Sequence, residues 1–329
     1  MSLENITLGY ACINQHLREL RPRKKSVCVN RTCRAATYKK RGKSHAIELA
    51  KTNLIAVIKI IEWNESQTCP IRLYRMSSNM FPHLTNPEFL PPGENFAYSL
   101  EQFSVYFNRI GELAERYHHR LTFHPGQYNQ IGTPHSWVFE KTKRDLLAQA
   151  TVLDMCSLPP ESVMVVHGGG VYSDKPKTLD RWIEQFRTLP KCVQGRIVVE
   201  NCERHYNYMD MLYLSKKIKR PFIFDTHHHA CYSQIQEKNG FGPLKDPSEF
   251  IDQIVNTWVW CNIKPKFHIS EQNPDKKLGA HSDYVENIPQ YLFDIASRVS
   301  GGIDIMVEAK EKERAVQRLQ SKYSSGYPR

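Results

Sequence analysis

Eight short apolar segments alternate with amphipathic segments along the chain, and this alternation restricts the fold more than any other feature of the sequence. Segments with helical periodicity follow the apolar ones, for example HAIELAKTNLIAVIKIIEW after the first and EQFSVYFNRIGELAERYH after the second. This order is typical of repeated β–α units and a parallel sheet. Eight such units predict an α/β protein with a closed (β/α)8 TIM barrel, although an open doubly wound sheet tolerates the same count. The predicted strands cover 6–11, 71–77, 120–125, 163–169, 196–201, 221–228, 266–270 and 304–310.

Length and composition agree with a single barrel. A chain of 329 residues has the size of an elaborated barrel, and 40% hydrophobic residues can form a large core. No linker interrupts the series, so we predict one domain over 1–329 with the barrel core at about 6–320. The apolar runs are too short for a membrane span, and the first residues lack the pattern of a secretory signal. We therefore expect an intracellular protein.

An excess of positive charge lies between the first predicted strand and the first long helix. Residues 18–43, here called the basic insertion, contain eleven Lys or Arg against one acid, Glu19, in a chain of net charge +11. Such a run can be a solvated loop or a localisation signal. In a barrel, however, the loop after a strand lies at the carboxyl-terminal mouth, where active sites are built. The insertion therefore indicates an anionic substrate larger than a metabolite. Its cysteines, Cys28 and Cys33, are interpreted as unrelated thiols.

Histidine, aspartate and glutamate side chains stand at the ends of six consecutive predicted strands. One histidine at a strand end is more often a structural residue than a ligand. Six consecutive ends, however, meet at one mouth of a barrel, and imidazoles and carboxylates crowded there without cations are costly to desolvate. The pattern therefore predicts a metal site, to which we add a histidine of the loop after strand seven. The residues are His124, His167, Glu200, Asp225, His228, His268, His281 and Glu308.

The types of side chain restrict the metal. Imidazole and carboxylate ligands without a thiolate suit Mn²⁺, Zn²⁺, Fe²⁺ or Co²⁺ and argue against a closed structural zinc site. The ligands exceed what one ion needs, so we predict two or more ions. Neighbouring ions of this kind can stabilise the attacking and leaving oxygens of a phosphoryl displacement.

Lys266 conflicts with a metal site unless its charge changes. Lys266 and His268 lie two residues apart on one predicted strand and therefore face the same side. A free ammonium beside divalent cations is strongly disfavoured. We expect Lys266 to be neutral, to bind phosphate or to be modified into an anion, and a salt bridge to a neighbouring strand is the alternative. His227 and His229 are expected to point away from the mouth by strand alternation, and the role of His83 stays open.

Nine motifs in this order resemble the ultraviolet damage endonucleases over about residues 7–310. The motifs are LGYACIN, IRLYRMSSNMFPH, FHPGQY, VVHGGG, VVEN, FDTHHH, KFHIS, GAHSDYVE and MVEAK. That family is similar to barrel-type apurinic-site endonucleases and, more distantly, to barrel sugar isomerases. The resemblance implies a DNA-repair enzyme that binds double-stranded DNA and nicks it immediately 5′ to an ultraviolet photoproduct, using water activated by a divalent metal.

The resemblance also implies roles for individual residues. The eight metal ligands named above match, with Glu200 as a bridging carboxylate, and the implied catalytic residues are Glu200, Lys266 and Glu308. The implied cofactor is two or three Mn²⁺ ions, with Zn²⁺, Co²⁺ or Mg²⁺ as alternatives, and Lys266 is expected to be carboxylated.

A second set of matched residues is implied to contact the lesion. Gln127 and Tyr128 match a pair that is inserted into the base stack when damaged bases rotate out of the duplex. Tyr10 and Asn14 match positions that line the pocket for the rotated lesion. The sequence leaves an apurinic-site-type endonuclease, a barrel sugar isomerase and a non-catalytic damage-binding protein as alternatives. We expect a monomer.

Overall fold

The computed structural model describes residues 2–324, in which eight parallel strands form a ring surrounded by helices. The strands are β1 (Ile6–Ala11), β2 (Leu73–Arg75), β3 (Arg120–Thr122), β4 (Met164–His167), β5 (Ile197–Glu200), β6 (Phe222–Ile223), β7 (Lys266–Ile269) and β8 (Ile303–Val307). The helices are α1 (Gln15–Arg18), α2 (Ala35–Arg41), α3 (Lys43–Glu65), α4 (Ser104–Tyr117), α5 (Ser136–Met155), α6 (Lys175–Thr188), α7 (Lys191–Arg196), α8 (Tyr208–Ile218), α9 (Thr226–Lys238), α10 (Ile251–Val259), α11 (Gln290–Arg298) and α12 (Glu313–Ser324).

The ring consists of two sheets joined at two seams. One sheet has the order β3-β2-β1-β8-β7 and the other the order β4-β5-β6. Single bridges, Phe123 to Met164 and Asp225 to His268, join the sheets and close the ring. The pairing of β1 with β8 confirms the predicted barrel, because the first and last strands of an open doubly wound sheet would not meet.

The helices pack on the outside of the ring through one apolar face each. In α4, for example, Phe107, Ile110 and Leu113 recur at the three- to four-residue spacing of a helical stripe, and all three are buried. Strand β5 is buried along its whole length, as expected for a parallel strand covered on both faces. No helix in residues 2–324 is both long enough and apolar enough to cross a bilayer.

The sixth predicted strand is wrong over its second half. The prediction placed 221–228 in one strand, but β6 ends at Ile223, and helix α9 begins at Thr226. Asp225 is the N-cap of this helix, since its side chain accepts a hydrogen bond from the backbone N–H of His228 (2.7 Å). His228 therefore lies in the first helical turn.

The basic insertion folds against the loop that follows β2. Tyr38 of α2 stacks on Phe89, with ring centroids 4.1 Å apart, and Asn53 of α3 bonds both the N–H and the carbonyl of Arg31 (2.8 and 2.9 Å). Both loops follow the carboxyl ends of strands, so the insertion lies at the carboxyl-terminal mouth. Residues 23–25, Arg-Lys-Lys, remain exposed there.

Candidate active site

Glu200 stands at the centre of a buried polar cluster at the carboxyl-terminal mouth. This glutamate is the last residue of β5 and is almost fully buried. Its Oε1 accepts a hydrogen bond from Nδ1 of His268 (2.6 Å), while its Oε2 lies 3.0 Å from Nε2 of His124 and 3.3 Å from Nε2 of His167. Strands β3, β4, β5 and β7 thus bring four of the predicted side chains together.

Two groups of side chains at this mouth are close enough to hold a metal ion. One group is His124, His167 and Glu200, and the other is Glu200, Asp225 and His228, with the donor atoms of each group within 4.8 Å of one another. Glu200 belongs to both groups, so its carboxylate would serve both positions if they held metal ions. Imidazole and carboxylate donors of this kind suit divalent metals.

One buried oxygen supports a metal at this position. Asp225 Oδ2 is buried but has no hydrogen-bond partner among the described residues. A buried carboxylate oxygen without a partner costs free energy. A divalent ion bound to the second group would satisfy it, so the residues present fit a metal.

Burial sets the protonation of the cluster. It lowers the pKa of His167 and of His268 to about 4, so both imidazoles are neutral at pH 7, the form that binds metals. Burial alone would raise the pKa of the Glu200 carboxyl, but the neighbouring imidazoles of His268 and His167 outweigh it and keep the pKa well below its usual range. Burial raises the pKa of Asp225 to about 7.

Glu308 joins the cluster from the residue after β8, and its main partner was missed in the sequence. The Glu308 carboxylate forms a salt bridge with the guanidinium of Arg75, the last residue of β2. Its two oxygens lie 3.3 Å from Nδ1 of His268 and 3.9 Å from Nδ1 of His281. Arg75 stands at a strand end in IRLYRMS, but the predicted cluster contains only His, Asp and Glu from the third strand onward, and an arginine is not a metal ligand.

Of two further histidines, His227 lies beside the site and His83 does not. His227 was expected to point away, but its ring centroid lies 5.6 Å from that of His281, because the residue belongs to α9 and strand alternation does not apply. His83 lies away from the cluster: its Nε2 bonds the carbonyl of Cys33 (2.8 Å), and its ring packs edge-on against Tyr38. His83 therefore attaches the basic insertion to the loop after β2.

Lys266 is fully buried next to the cluster. Its Nζ donates a hydrogen bond to the hydroxyl of Thr122 (3.4 Å), and within residues 2–324 no carboxylate forms a salt bridge with it. The alternative of a salt bridge to a neighbouring strand is thus not what the structure shows. Burial, together with the positive charges of Arg120 and Arg75, lowers the pKa of Lys266 to about 7.

Gln127 and Tyr128 form the tip of the loop after β3, here called the finger loop (126–130). Both side chains are exposed, Tyr128 to 75%. Asn129 closes the turn, because its backbone and side-chain N–H groups both donate to the carbonyl of Gly126 (2.9 and 3.0 Å). The loop stands between two clefts of about 620 and 400 Å³, and Tyr128 lines both.

Tyr10 and Asn14 do not lie where the resemblance implied. Both side chains are almost fully buried. The Tyr10 hydroxyl donates to Asn64 Oδ1 (2.7 Å) and accepts from Asn14 Nδ2 (2.9 Å), while Asn14 caps helix α1. With their hydrogen bonds made inside the protein, these residues support the start of the basic insertion and are not exposed to a lesion in this structure.

Solved structures place this architecture among barrel enzymes. The structure described as SacUVDE superposes with a TM-score of 0.80 at 24% identity, covering 97% of this chain and 98% of its own. Endonuclease IV from Thermus thermophilus has a TM-score of 0.51 at 12% identity, covering 82% of this chain and 95% of its own. D-psicose 3-epimerase from Clostridium cellulolyticum has the same TM-score and identity, covering 83% and 91%. At these identities the likeness establishes the fold class, a TIM barrel shared by nucleases and sugar epimerases.

Sequence comparison is more specific. The chain matches the sequence model of UV-endonuclease UvdE over residues 6–327 and belongs to that family, which confirms the resemblance and identifies an endonuclease. It is 36% identical to a protein of Acanthamoeba polyphaga mimivirus over 98% of this chain and 93% of that protein. It is 33% identical to the UV-damage endonuclease of Schizosaccharomyces pombe, covering 98% of this chain and 51% of that protein, and 31% identical to the UV DNA damage endonuclease of Bacillus cereus (84% and 83%). The chain thus spans about half the length of the fungal relative.

Proposed function

We propose that this protein is a DNA-repair endonuclease that cuts double-stranded DNA immediately 5′ to ultraviolet photoproducts. The observation that carries this proposal is Glu200, which two candidate metal groups share at a mouth flanked by a basic insertion and an exposed finger loop. A sugar isomerase has no need for the basic insertion or the finger loop. A protein that only binds damaged DNA has no need for the two metal groups that share Glu200.

The proposed cofactor is two or three Mn²⁺ ions, with Zn²⁺, Co²⁺ or Mg²⁺ as alternatives. When bound, such ions stabilise the attacking and leaving oxygens of a phosphodiester displacement and lower the pKa of water. The residues proposed to hold them are His124, His167, Glu200, Asp225, His228, His268, His281 and Glu308.

Around the metal positions, the protein supplies orientation and charge. Two imidazole hydrogen bonds fix the Glu200 carboxylate, and Arg75 fixes Glu308. We further propose that Lys266 is carboxylated. The ammonium first loses one proton. The neutral amine nitrogen then forms a bond to the carbon of CO₂ as one C=O π bond becomes a carboxylate oxygen. A second proton leaves the nitrogen, so a buried cation is replaced by an anion. The lowered pKa of Lys266 supports this step, because only the neutral amine reacts.

DNA is proposed to bind across the mouth as follows. The basic insertion contacts phosphates, and Gln127 and Tyr128 enter the base stack. The clefts on either side of the finger loop, about 620 and 400 Å³, leave room for bases that rotate out. One mouth per chain carries all these features, so we propose that a monomer within one domain is sufficient.

The test is to incubate the purified protein with Mn²⁺ and an end-labelled, ultraviolet-irradiated duplex. We expect a single nick immediately 5′ to the photoproduct. Glu200→Gln is expected to lose more than about a hundredfold in nicking rate and to bind less Mn²⁺, since it removes the shared ligand. Glu161→Gln, at the opposite end of the barrel, is the matched control and should retain both.

Other outcomes would favour the alternatives. Cutting only at an abasic site would indicate an apurinic-site-type endonuclease. Damage-dependent binding without cutting would indicate a binding protein, and absence of any interaction with DNA would reopen the isomerase.

A further inference from the structure

One side-chain amide, that of Gln130, connects the finger loop to the loop after β4. Gln130 Nε2 donates a hydrogen bond to the carbonyl of Gln127 (2.9 Å), directly before Tyr128. Its Oε1 accepts from the N–H of Gly170 (2.7 Å) and from the hydroxyl of Tyr172 (3.3 Å). The loop that contains Gly170 begins directly after His167, a candidate metal ligand. Gln130 therefore connects the finger tip to the loop that follows a candidate metal ligand.

The loop after β4 is shaped to receive this amide. Gly169 has φ +86°, and a Cβ atom there would lie 2.6 Å from Gln130 Oε1. On the other side, a Cβ on Gly168 would lie 2.5 Å from the ring of Tyr206, whose hydroxyl donates to the carbonyl of Gly170 (3.0 Å). Because a side chain at either glycine would collide with these groups, the glycines allow both contacts to form.

Two further observations show that both loops have a defined conformation. Tyr172 and Ser173 have φ of 51° and 67°, a region that residues other than glycine rarely occupy unless contacts hold them there. Gln130 is itself anchored, because its backbone N–H donates to the hydroxyl of Thr142 (3.0 Å), a buried residue of α5. The finger loop is thus fixed to the barrel before any DNA arrives.

We propose that Gln130 is a positioning residue that holds Gln127 and Tyr128 in their inserting orientation relative to the metal cluster. This inference rests on the proposed function. A loop that is already ordered inserts into the base stack without the entropic cost of ordering it, so the stabilisation from stacking is retained in binding and cutting. Gln130 lies outside both candidate metal groups, so it acts through the finger loop.

The experiment compares Gln130→Leu and Gln130→Glu on two irradiated duplexes that differ only in pairing. In one, the photoproduct lies in a fully paired duplex. In the other, it lies opposite mismatched bases, so the stack is already open. Gln130→Leu removes all side-chain hydrogen bonds, whereas Gln130→Glu keeps the acceptor for Gly170 and loses the donor to Gln127. Gln194→Leu is the control, because Gln194 also donates to two backbone carbonyls, those of Arg187 at the end of α6 and Leu189 after it, but at the opposite end of the barrel.

Both Gln130 variants are expected to nick the paired substrate about tenfold more slowly, the factor that corresponds to one ordinary hydrogen bond. On the mismatched substrate the loss should be less than about threefold, since the finger no longer has to open the stack. Gln194→Leu should nick both substrates at the rate of the unmodified protein. Equal losses on the two substrates, or no loss on the paired one, would overturn the positioning role.

Amide hydrogen exchange provides a readout that needs no nuclease activity. The Gly170 N–H is expected to exchange faster in Gln130→Leu than in the unmodified protein or in Gln130→Glu, and unchanged exchange would also overturn the inference. If the unmodified protein fails to nick either substrate, the proposed function fails and the positioning role with it. If the unmodified protein nicks both substrates and the Gln130 variants nick them at the same rate, the positioning role fails and the proposed function stands.

Discussion

Charge at the mouth is balanced by very few positive side chains. Glu200 and Asp225 are buried, and Glu308 is half-buried in the same cluster. Arg75 supplies the only salt bridge from a guanidinium to any of these three carboxylates within residues 2–324. Burial alone would lower the pKa of His228, but the carboxylates of Asp225, Glu200 and Glu308 outweigh it and raise the pKa to about 9, so this imidazole is a second cation beside Asp225. Burial lowers the pKa of Lys266 to about 7. Arg75 is therefore the cation on which Glu308 depends when no metal is bound.

Arg75→Met should reveal this dependence. Without the guanidinium, the half-buried Glu308 carboxylate loses its salt bridge to Arg75, and we expect the free energy of unfolding in chelator to fall by about 3 kcal/mol. Added Mn²⁺ should reduce the difference, because a metal ion takes over the missing charge. Urea unfolding with EDTA and with Mn²⁺ measures both values.

The matched control is Arg109→Met. Arg109 pairs with Glu62 between exposed helical surfaces, so its loss should cost less than about 1 kcal/mol, with or without metal. If Arg75→Met were as stable in EDTA as the unmodified protein, this assignment of charge would be wrong.

Tyr128 has the opposite character, a large aromatic side chain that contributes little to the fold. Since it is 75% exposed, Tyr128→Ala should leave the free energy of unfolding nearly unchanged. Loss of one stacking partner should weaken binding to irradiated duplex by about tenfold or more. Fluorescence anisotropy measures the affinity, with Tyr213→Ala, an exposed tyrosine of α8, as the control. An unchanged affinity would remove Tyr128 from the proposed finger.

Among the helices and strands, the junction of β6 and α9 combines a structural and a chemical role in one residue. Asp225 caps α9 with one carboxylate oxygen and leaves the other without a hydrogen-bond partner in the described part of the chain. The same junction therefore determines where the helix begins and where a metal ligand stands.

Two substitutions separate these roles. Asparagine is as good an N-cap as aspartate, so Asp225→Asn should keep the stability of the metal-free protein while it lowers Mn²⁺ binding. Asp225→Ala removes the cap as well and should cost about 1 kcal/mol more than Asp225→Asn. Thermal unfolding in EDTA measures the stability of each metal-free variant, and titration with Mn²⁺ measures its metal affinity. Equal stability of the two variants would show that the cap contributes nothing.

The sequence predicted the strand order and most elements because apolar periodicity reports burial directly. It failed at β6, where PFIFDTHHH continues an apolar run into polar residues, and the periodicity of so short a segment does not distinguish strand from helix. Asp225, directly before α9, is an N-cap residue type that could have corrected the boundary. The contact of Tyr10 with Asn64 and that of Arg75 with Glu308 join residues more than fifty positions apart, and no local pattern reports such contacts.

On the scale of the whole molecule, the basic insertion gives one side of the mouth a strong positive charge. Arg23, Lys24 and Lys25 are exposed, and α2 adds further basic residues beside them. The insertion is held to the barrel by contacts with the loop after β2, so its charges occupy a defined place. We therefore expect it to determine how the duplex is oriented.

Neutralising Arg23, Lys24 and Lys25 to alanine should weaken binding to damaged and undamaged duplex by similar factors. Removing one ion pair with a phosphate should reduce the slope of log Kd against log salt by about one. Affinity measured over a series of salt concentrations gives the slope. A control with alanine at Lys191, Lys216 and Lys217, which lie near the opposite end of the barrel, should leave the slope unchanged. A triple variant with the slope of the unmodified protein would exclude the insertion from the DNA interface.

The ring of strands is closed at two places by one bridge each, and the candidate ligands lie on both sides of these junctions. His124 belongs to one sheet, whereas His167 and Glu200 belong to the other, and His268 reaches Glu200 across the second junction. A cation coordinated here would act as a cross-link between two halves that backbone pairing joins only weakly. DNA cleavage and the stability of the barrel would then depend on the same few ligand atoms. The metal-free protein would be the less stable form.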